Sequence, residues 1–120
     1  MAVGKVEAAA FAASARNKTL AETYQDMAAA YEITGYPGAE GDHHQGGITG
    51  YLSRDLLALP TARERIEASM AVAWNPSVNG AKIEDTALVT EDGVDILTTD
   101  ERWPVYEAAG RLRPLELYID

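Results

Sequence analysis

The chain's two histidines, His43 and His44, sit side by side in the stretch Gly41-Asp42-His43-His44-Gln45-Gly46-Gly47-Ile48-Thr49-Gly50-Tyr51. Imidazole serves as metal ligand or general base, and four glycines among these eleven residues let a backbone approach a ligand or a neighbouring strand closely. The other residues suited to chemistry are the adjacent carboxylates Glu84 and Asp85, the amide Asn75 ahead of Pro76, and Arg54. A guanidinium at Arg54 suits a substrate carboxylate or a surface ion pair. Neighbours on an extended chain point to opposite faces. One histidine and one of Glu84 and Asp85 can therefore enter a given cleft, unless the backbone bends. That amounts to two ligands, where a catalytic zinc-type centre takes three from the protein and a two-metal site takes more.

Other schemes find less support. The chain has no cysteine, which excludes disulfides and thiolate metal sites. No Gly-x-Ser-x-Gly elbow anchors acyl-enzyme chemistry. Gly46-Gly47-Ile48-Thr49-Gly50 lacks the lysine and the strand-to-helix setting of a phosphate loop, and nothing singles out a glycosidase-type carboxylate pair.

The elements that must position these residues follow from periodicity. Val3 to about Asn17 is alanine-rich, with Val6, Ala9, Ala10 and Ala13 at helical spacing and Phe11 nearby, which predicts a helix with a small-residue face. Thr19-Leu20-Ala21-Glu22 matches a capping box. Leu20, Tyr24, Met27, Ala28 and Tyr31 then form one stripe of a second helix, ending by Gly35 and the Tyr36-Pro37-Gly38 turn. Thr61-Ala62-Arg63-Glu64 offers a second capping box and a short helical turn. From Ser69 the period becomes two: Met70, Val72 and Trp74 alternate with alanines, Asn75 to Gly80 breaks the strand, and Lys82 to Thr90 resumes it. Glu91-Asp92-Gly93 turns the chain back into Val94–Leu97, a β-hairpin. Leu115 to Ile119 alternates as a further strand. Helices followed by strands predict an α+β fold with helices packed on an antiparallel sheet, in a single domain, residues 1–120.

Ten Lys and Arg against 19 Asp and Glu leave a net charge of −9. Such a surface repels phosphate backbones, so nucleic acid is not the expected partner. No run approaches the ~20 apolar residues of a membrane span, no signal-peptide pattern opens the chain, and a cytoplasmic location is expected.

Four segments together carry a specific resemblance. They are His43-His44-Gln45-Gly46-Gly47-x-x-Gly50-Tyr51, Ala73-Trp74-Asn75-Pro76-Ser77, Gly80-x-Lys82-x-Glu84-Asp85-Thr86 running into Leu88-Val89-Thr90-Glu91-Asp92-Gly93, and Leu97-Thr98 with Trp103-Pro104. In this order they resemble the C-terminal part of the creatinase/methionyl aminopeptidase/Xaa-Pro peptidase family, whose fold is known as pita-bread. The resemblance covers nearly the whole chain, and the Glu-Asp-Thr strand before the Glu-Asp-Gly turn is its most specific piece. It implies a two-metal centre (Mn, Co or Zn) held by two aspartates, a histidine and two glutamates, in that chain order. A hydroxide shared by the metals attacks a peptide bond near the substrate's N-terminus.

Carried over by residue, the histidine falls on His44, with His43 as the rival alignment, and the last glutamate falls on Glu84. Asn75 stands where a glutamate precedes the proline. The two aspartates are expected upstream of the first helix, where this chain begins. His43 and Arg54 remain as candidate substrate contacts. A neutral amide supplies neither the charge nor the proton acceptance of a glutamate. The expectation is therefore a C-terminal portion of an Xaa-Pro peptidase-like protein, inactive by itself, holding no metal cofactor. The alternative is a metal-free binding or oligomerisation module built on that fold. Expected partners are a second copy or the missing N-terminal half of a longer chain, with a peptide or small molecule as ligand.

Overall fold

The computed structural model describes residues 2–49, 56–78 and 80–98, and the backbone course of 105–108 and 111–114. The first helix, α1 (Ala2–Ala15), buries Val3, Val6, Glu7, Ala10, Phe11, Ala13 and Ser14 along one face. It stops where Asn17 adopts a left-handed φ of 58°. The Lys18 N–H then reaches back to the Ala13 carbonyl (3.2 Å) and Asn17 N–H to Ser14 O (3.1 Å), satisfying carbonyls that the helix end leaves open.

The second helix, α2 (Leu20–Ile33), opens with the capping box expected from the sequence. Glu22 N–H donates to Thr19 Oγ1 (3.1 Å) and Thr19 N–H to Glu22 Oε1 (2.9 Å). Leu20, Met27 and Tyr31 are buried on the predicted stripe. The helix closes at Gly35, whose φ of 97° lets Tyr36 N–H return to Tyr31 O (2.8 Å).

The expected helical turn at 61–64 does not form. This segment lies alongside the start of α2 instead, where Leu20 N–H donates to Glu64 O (2.8 Å) and Ala21 N–H to Ala62 O (2.9 Å). The first N–H groups of a helix have no partner within it, and here a neighbouring chain segment supplies the acceptors. A local helical turn would have withdrawn them.

Five antiparallel strands make the main sheet in the order β2 (Leu56–Leu57), β1 (Gly46–Thr49), β3 (Ala71–Trp74), β6 (Asp85–Thr90), β7 (Gly93–Ile96). The β6–β7 pair is the predicted hairpin, with Thr90 opposite Gly93. The expected strand from Lys82 to Thr90 is divided. Ala81–Lys82 forms β5 and pairs with β4 (Ser77–Val78) in a separate small ladder. Residues 105–108 and 111–114 form a further hairpin, β8–β9. The strand expected at 115–119 lies outside the described residues.

The helices cover one face of the sheet. Val6, Ala10, Phe11, Leu20, Met27 and Tyr31 meet Ile48, Val72, Trp74, Ala87 and Val89 in one buried cluster. Trp74 is wholly buried, and its indole N–H donates to Ser14 Oγ (3.1 Å) on α1. The architecture is α+β, as the periodicity predicts. No described helix is long and apolar enough to cross a membrane.

Candidate functional site

The candidate residues gather at one end of the sheet, where β1 begins and β3 ends. Gly46 lies opposite Trp74, and Trp74 opposite Asp85. Asn75 N–H donates to Gln45 O (3.1 Å), and Ile83 N–H donates to Pro76 O (3.2 Å), so pairing runs past the end of β3. Asn75 and Glu84 thereby stand abreast on adjacent chains. Alternation sends Asp85 into the core, 1% exposed, where it accepts from the Thr98 hydroxyl (2.6 Å); Glu84 is exposed.

β1 reaches this position because Gly46 and Gly47 have no side chains. A Cβ on Gly46 (φ 108°) would overlap the Ala73 carbonyl oxygen, and one on Gly47 would overlap that of Leu56. Neighbouring backbone leaves no room for either.

Under these strands lies a buried polar network. Gln45 is fully buried; its Oε1 accepts from the Tyr31 hydroxyl (2.7 Å), and its Nε2 donates to Glu40 O (3.3 Å) and His43 O (3.0 Å). The Tyr31 oxygen also accepts from Ser77 N–H (3.0 Å). Burial pushes the Tyr31 phenol up to about 12; the Ser77 N–H opposes the shift and the carboxylates of Glu40 and Asp42 add to it. Asn75, 3% exposed, donates through Nδ2 to His44 O (3.3 Å), while its Oδ1 is buried with no hydrogen-bond partner among the described residues. The amides of Gln45 and Asn75 thus clamp the carbonyls of both histidines.

The two imidazoles are set edge to face, 6.3 Å between centroids at 89°. His43 is half-buried, with Nε2 against Ser77 Oγ and Nδ1 against the carbonyl oxygen of His44. His44 is exposed. Arg54 lies outside the described residues. Of the positions carried over from the resemblance, His44, Asn75 and Glu84 therefore share one end of the sheet, and His43 turns to Ser77.

The described donors do not fit a two-metal centre. Among the described residues, no group of three or more histidines and carboxylates could hold a metal ion. The central position of the three is a neutral amide whose nitrogen is engaged with a backbone carbonyl. Bridging carboxylates are what hold two cations together, and an amide cannot replace one.

A prolidase from Pyrococcus furiosus superposes on this chain with a TM-score of 0.58 at 18% sequence identity, covering 83% of this chain and 32% of the prolidase chain. The chain thus spans about a third of the length of that enzyme. At this identity the likeness shows the fold: two helices on an antiparallel sheet, matching part of the larger prolidase architecture. No family model matches the chain, and no curated protein does.

Gln45, Tyr31 and Ser77 receive no role from the sequence: Tyr31 reads there as one member of a helical stripe, and Gln45 and Ser77 only as residues of the quoted motifs. The available signal was Gln45 itself, an amide beside glycines tight enough to bury it.

Proposed function

We propose that this chain is the C-terminal portion of an Xaa-Pro peptidase-like fold that neither holds the metal pair nor hydrolyses peptides by itself. The observation that carries this is Asn75. It is buried where the resemblance calls for a glutamate, and its Nδ2 is committed to His44 O. His44 and Glu84 remain at the sheet end, both exposed. The fold shared with a prolidase supports the family side of the proposal. The test is metal analysis of the purified, dialysed chain together with cleavage of Xaa-Pro dipeptides in added Mn²⁺ or Co²⁺. Absence of tightly bound metal and of turnover is the expected result; stoichiometric metal with turnover would sink the proposal.

A second reading, association through the helices, is favoured by one surface feature. A shallow groove of about 330 Å³ between α1 and α2 is lined by Ala9, Ala12, Ala13, Ala29, Ala30 and Ile33, with Arg16, Lys18 and Asp26 also at its wall. Ile33 is 84% exposed. An exposed apolar surface of this kind suits a protein partner, here a second copy or a complementary segment. Light scattering at micromolar concentration separates the readings: a dimer lost on Ile33→Glu supports association, and a clean monomer counts against it.

A further inference from the structure

Ser77 Oγ lies against His43 Nε2, and His43 Nδ1 lies against the His44 carbonyl oxygen. A carbonyl oxygen only accepts, so Nδ1 carries the ring proton. In the neutral imidazole Nε2 then keeps a lone pair, into which the Ser77 hydroxyl donates. Nucleophile, base and orienting acceptor thus stand in series, the arrangement that activates a catalytic hydroxyl.

The two residues are 34 apart in sequence, and separate supports hold them. Gln45 Nε2 clamps His43 O (3.0 Å) and Asn75 Nδ2 clamps His44 O (3.3 Å), fixing the peptide that carries the base. The Ser77 backbone is held by the Tyr31 hydroxyl (3.0 Å) and by its pairing with Lys82 across β4 and β5. Directly opposed residues of an antiparallel pair project from the same face, so the Lys82 side chain leaves β5 on the same face as the Ser77 hydroxyl. Ser77 and His43 are both half-buried. They are sheltered from bulk water and still reachable.

We propose that Ser77 is a nucleophilic serine with His43 as its general base, and that its substrates are small activated carboxylic esters. The proposal is independent of the peptidase reading and requires no metal. Ser77 Oγ bonds to the ester carbonyl carbon while its proton passes to His43 Nε2, and Lys82, on the same face, is the cation within the strand pair that can turn to the developing oxyanion. The C–O bond to the leaving alkoxide breaks, and that oxygen takes the proton from His43. Water then attacks the acyl-serine with the same proton transfers, releasing the acid and restoring Ser77. Ester and water become acid and alcohol, with no oxidant or reductant.

A fluorophosphonate probe tests this on the whole chain, since attack by Ser77 forms an O–P bond and expels fluoride. Intact mass and peptide mapping should show one adduct per chain, on Ser77, formed at the same rate after treatment with a metal chelator. Ser77→Ala should abolish the adduct. His43→Gln should slow it by about a hundredfold or more, with folding of both variants checked by thermal melting. p-Nitrophenyl acetate hydrolysis should follow the same order. An unmodified wild-type chain, an adduct on another residue, a rate that falls on chelation, or equal labelling of folded His43→Gln would overturn the proposal, and the first three need no variant to fold.

Discussion

The Tyr31 hydroxyl is used twice, donating to Gln45 Oε1 (2.7 Å) in the interior and accepting from the half-buried Ser77 N–H (3.0 Å). Removing it leaves a buried acceptor unpaired, costing about 1–3 kcal/mol, and a half-buried donor, which costs less. Tyr31→Phe is therefore expected to destabilise the chain by about 2–4 kcal/mol in urea unfolding, with the Ser77 backbone loosened. The phenol also imposes a pH dependence. Its folded value of about 12 stands above the ordinary 10.0, mainly through burial. A raised value means that the neutral form favours the fold. This contribution is complete below pH 10.0 and is lost as pH rises through about 12. Spectrophotometric titration should show a late tyrosine ionisation, and Tyr31→Phe should remove that late step.

At the scale of elements, two joints carry the site. The capping box at Thr19 sets where α2 starts, and so where Tyr31 meets Gln45. Thr19→Ala should cost about 1 kcal/mol. Glu22 is held below its ordinary 4.5 by the Thr19 N–H first and the Thr19 hydroxyl next. A lowered value means that the ionised form favours the fold, so this support is present above pH 4.5 and disappears as pH falls through the folded value. Glu22→Gln should flatten that acid limb in melts taken across it. The second joint is Gly46, where an added Cβ meets backbone that cannot step aside. Gly46→Ala should destabilise the chain by on the order of 3 kcal/mol or more and separate β1 from β3, visible as loss of hydrogen-exchange protection at Asn75 N–H.

For the whole molecule, the net charge of −9 means self-repulsion in the compact state, which salt screens. Raising NaCl from about 10 mM to about 500 mM should raise Tm by a few degrees, since about 1 kcal/mol moves a small domain by roughly 4–8 °C. A flat response would show that the charges are locally compensated. The match to about a third of a prolidase chain concerns the same scale. It describes shared architecture.

Much of the architecture follows from local pattern. The capping box, the Leu20, Met27 and Tyr31 stripe, the Val72 and Trp74 alternation and the β6–β7 hairpin are periodicities of 3.6 and 2 with their own stop signals, and each needs only neighbours along the chain. Alternation likewise separates Glu84 from Asp85, exposed against buried, because a strand's side chains must take opposite faces. What only the tertiary structure decided is where polar groups find partners. The segment at 61–64 stays non-helical because its carbonyls serve α2, and Lys82–Thr90 divides because Lys82 pairs with Ser77 while the residues from Asp85 on pair with β3. Ser77 meets His43 across 34 residues, a spacing no motif records. Most buried donors and acceptors find partners wherever the fold brings them, and that pairing is a property of packing, invisible to any window of sequence.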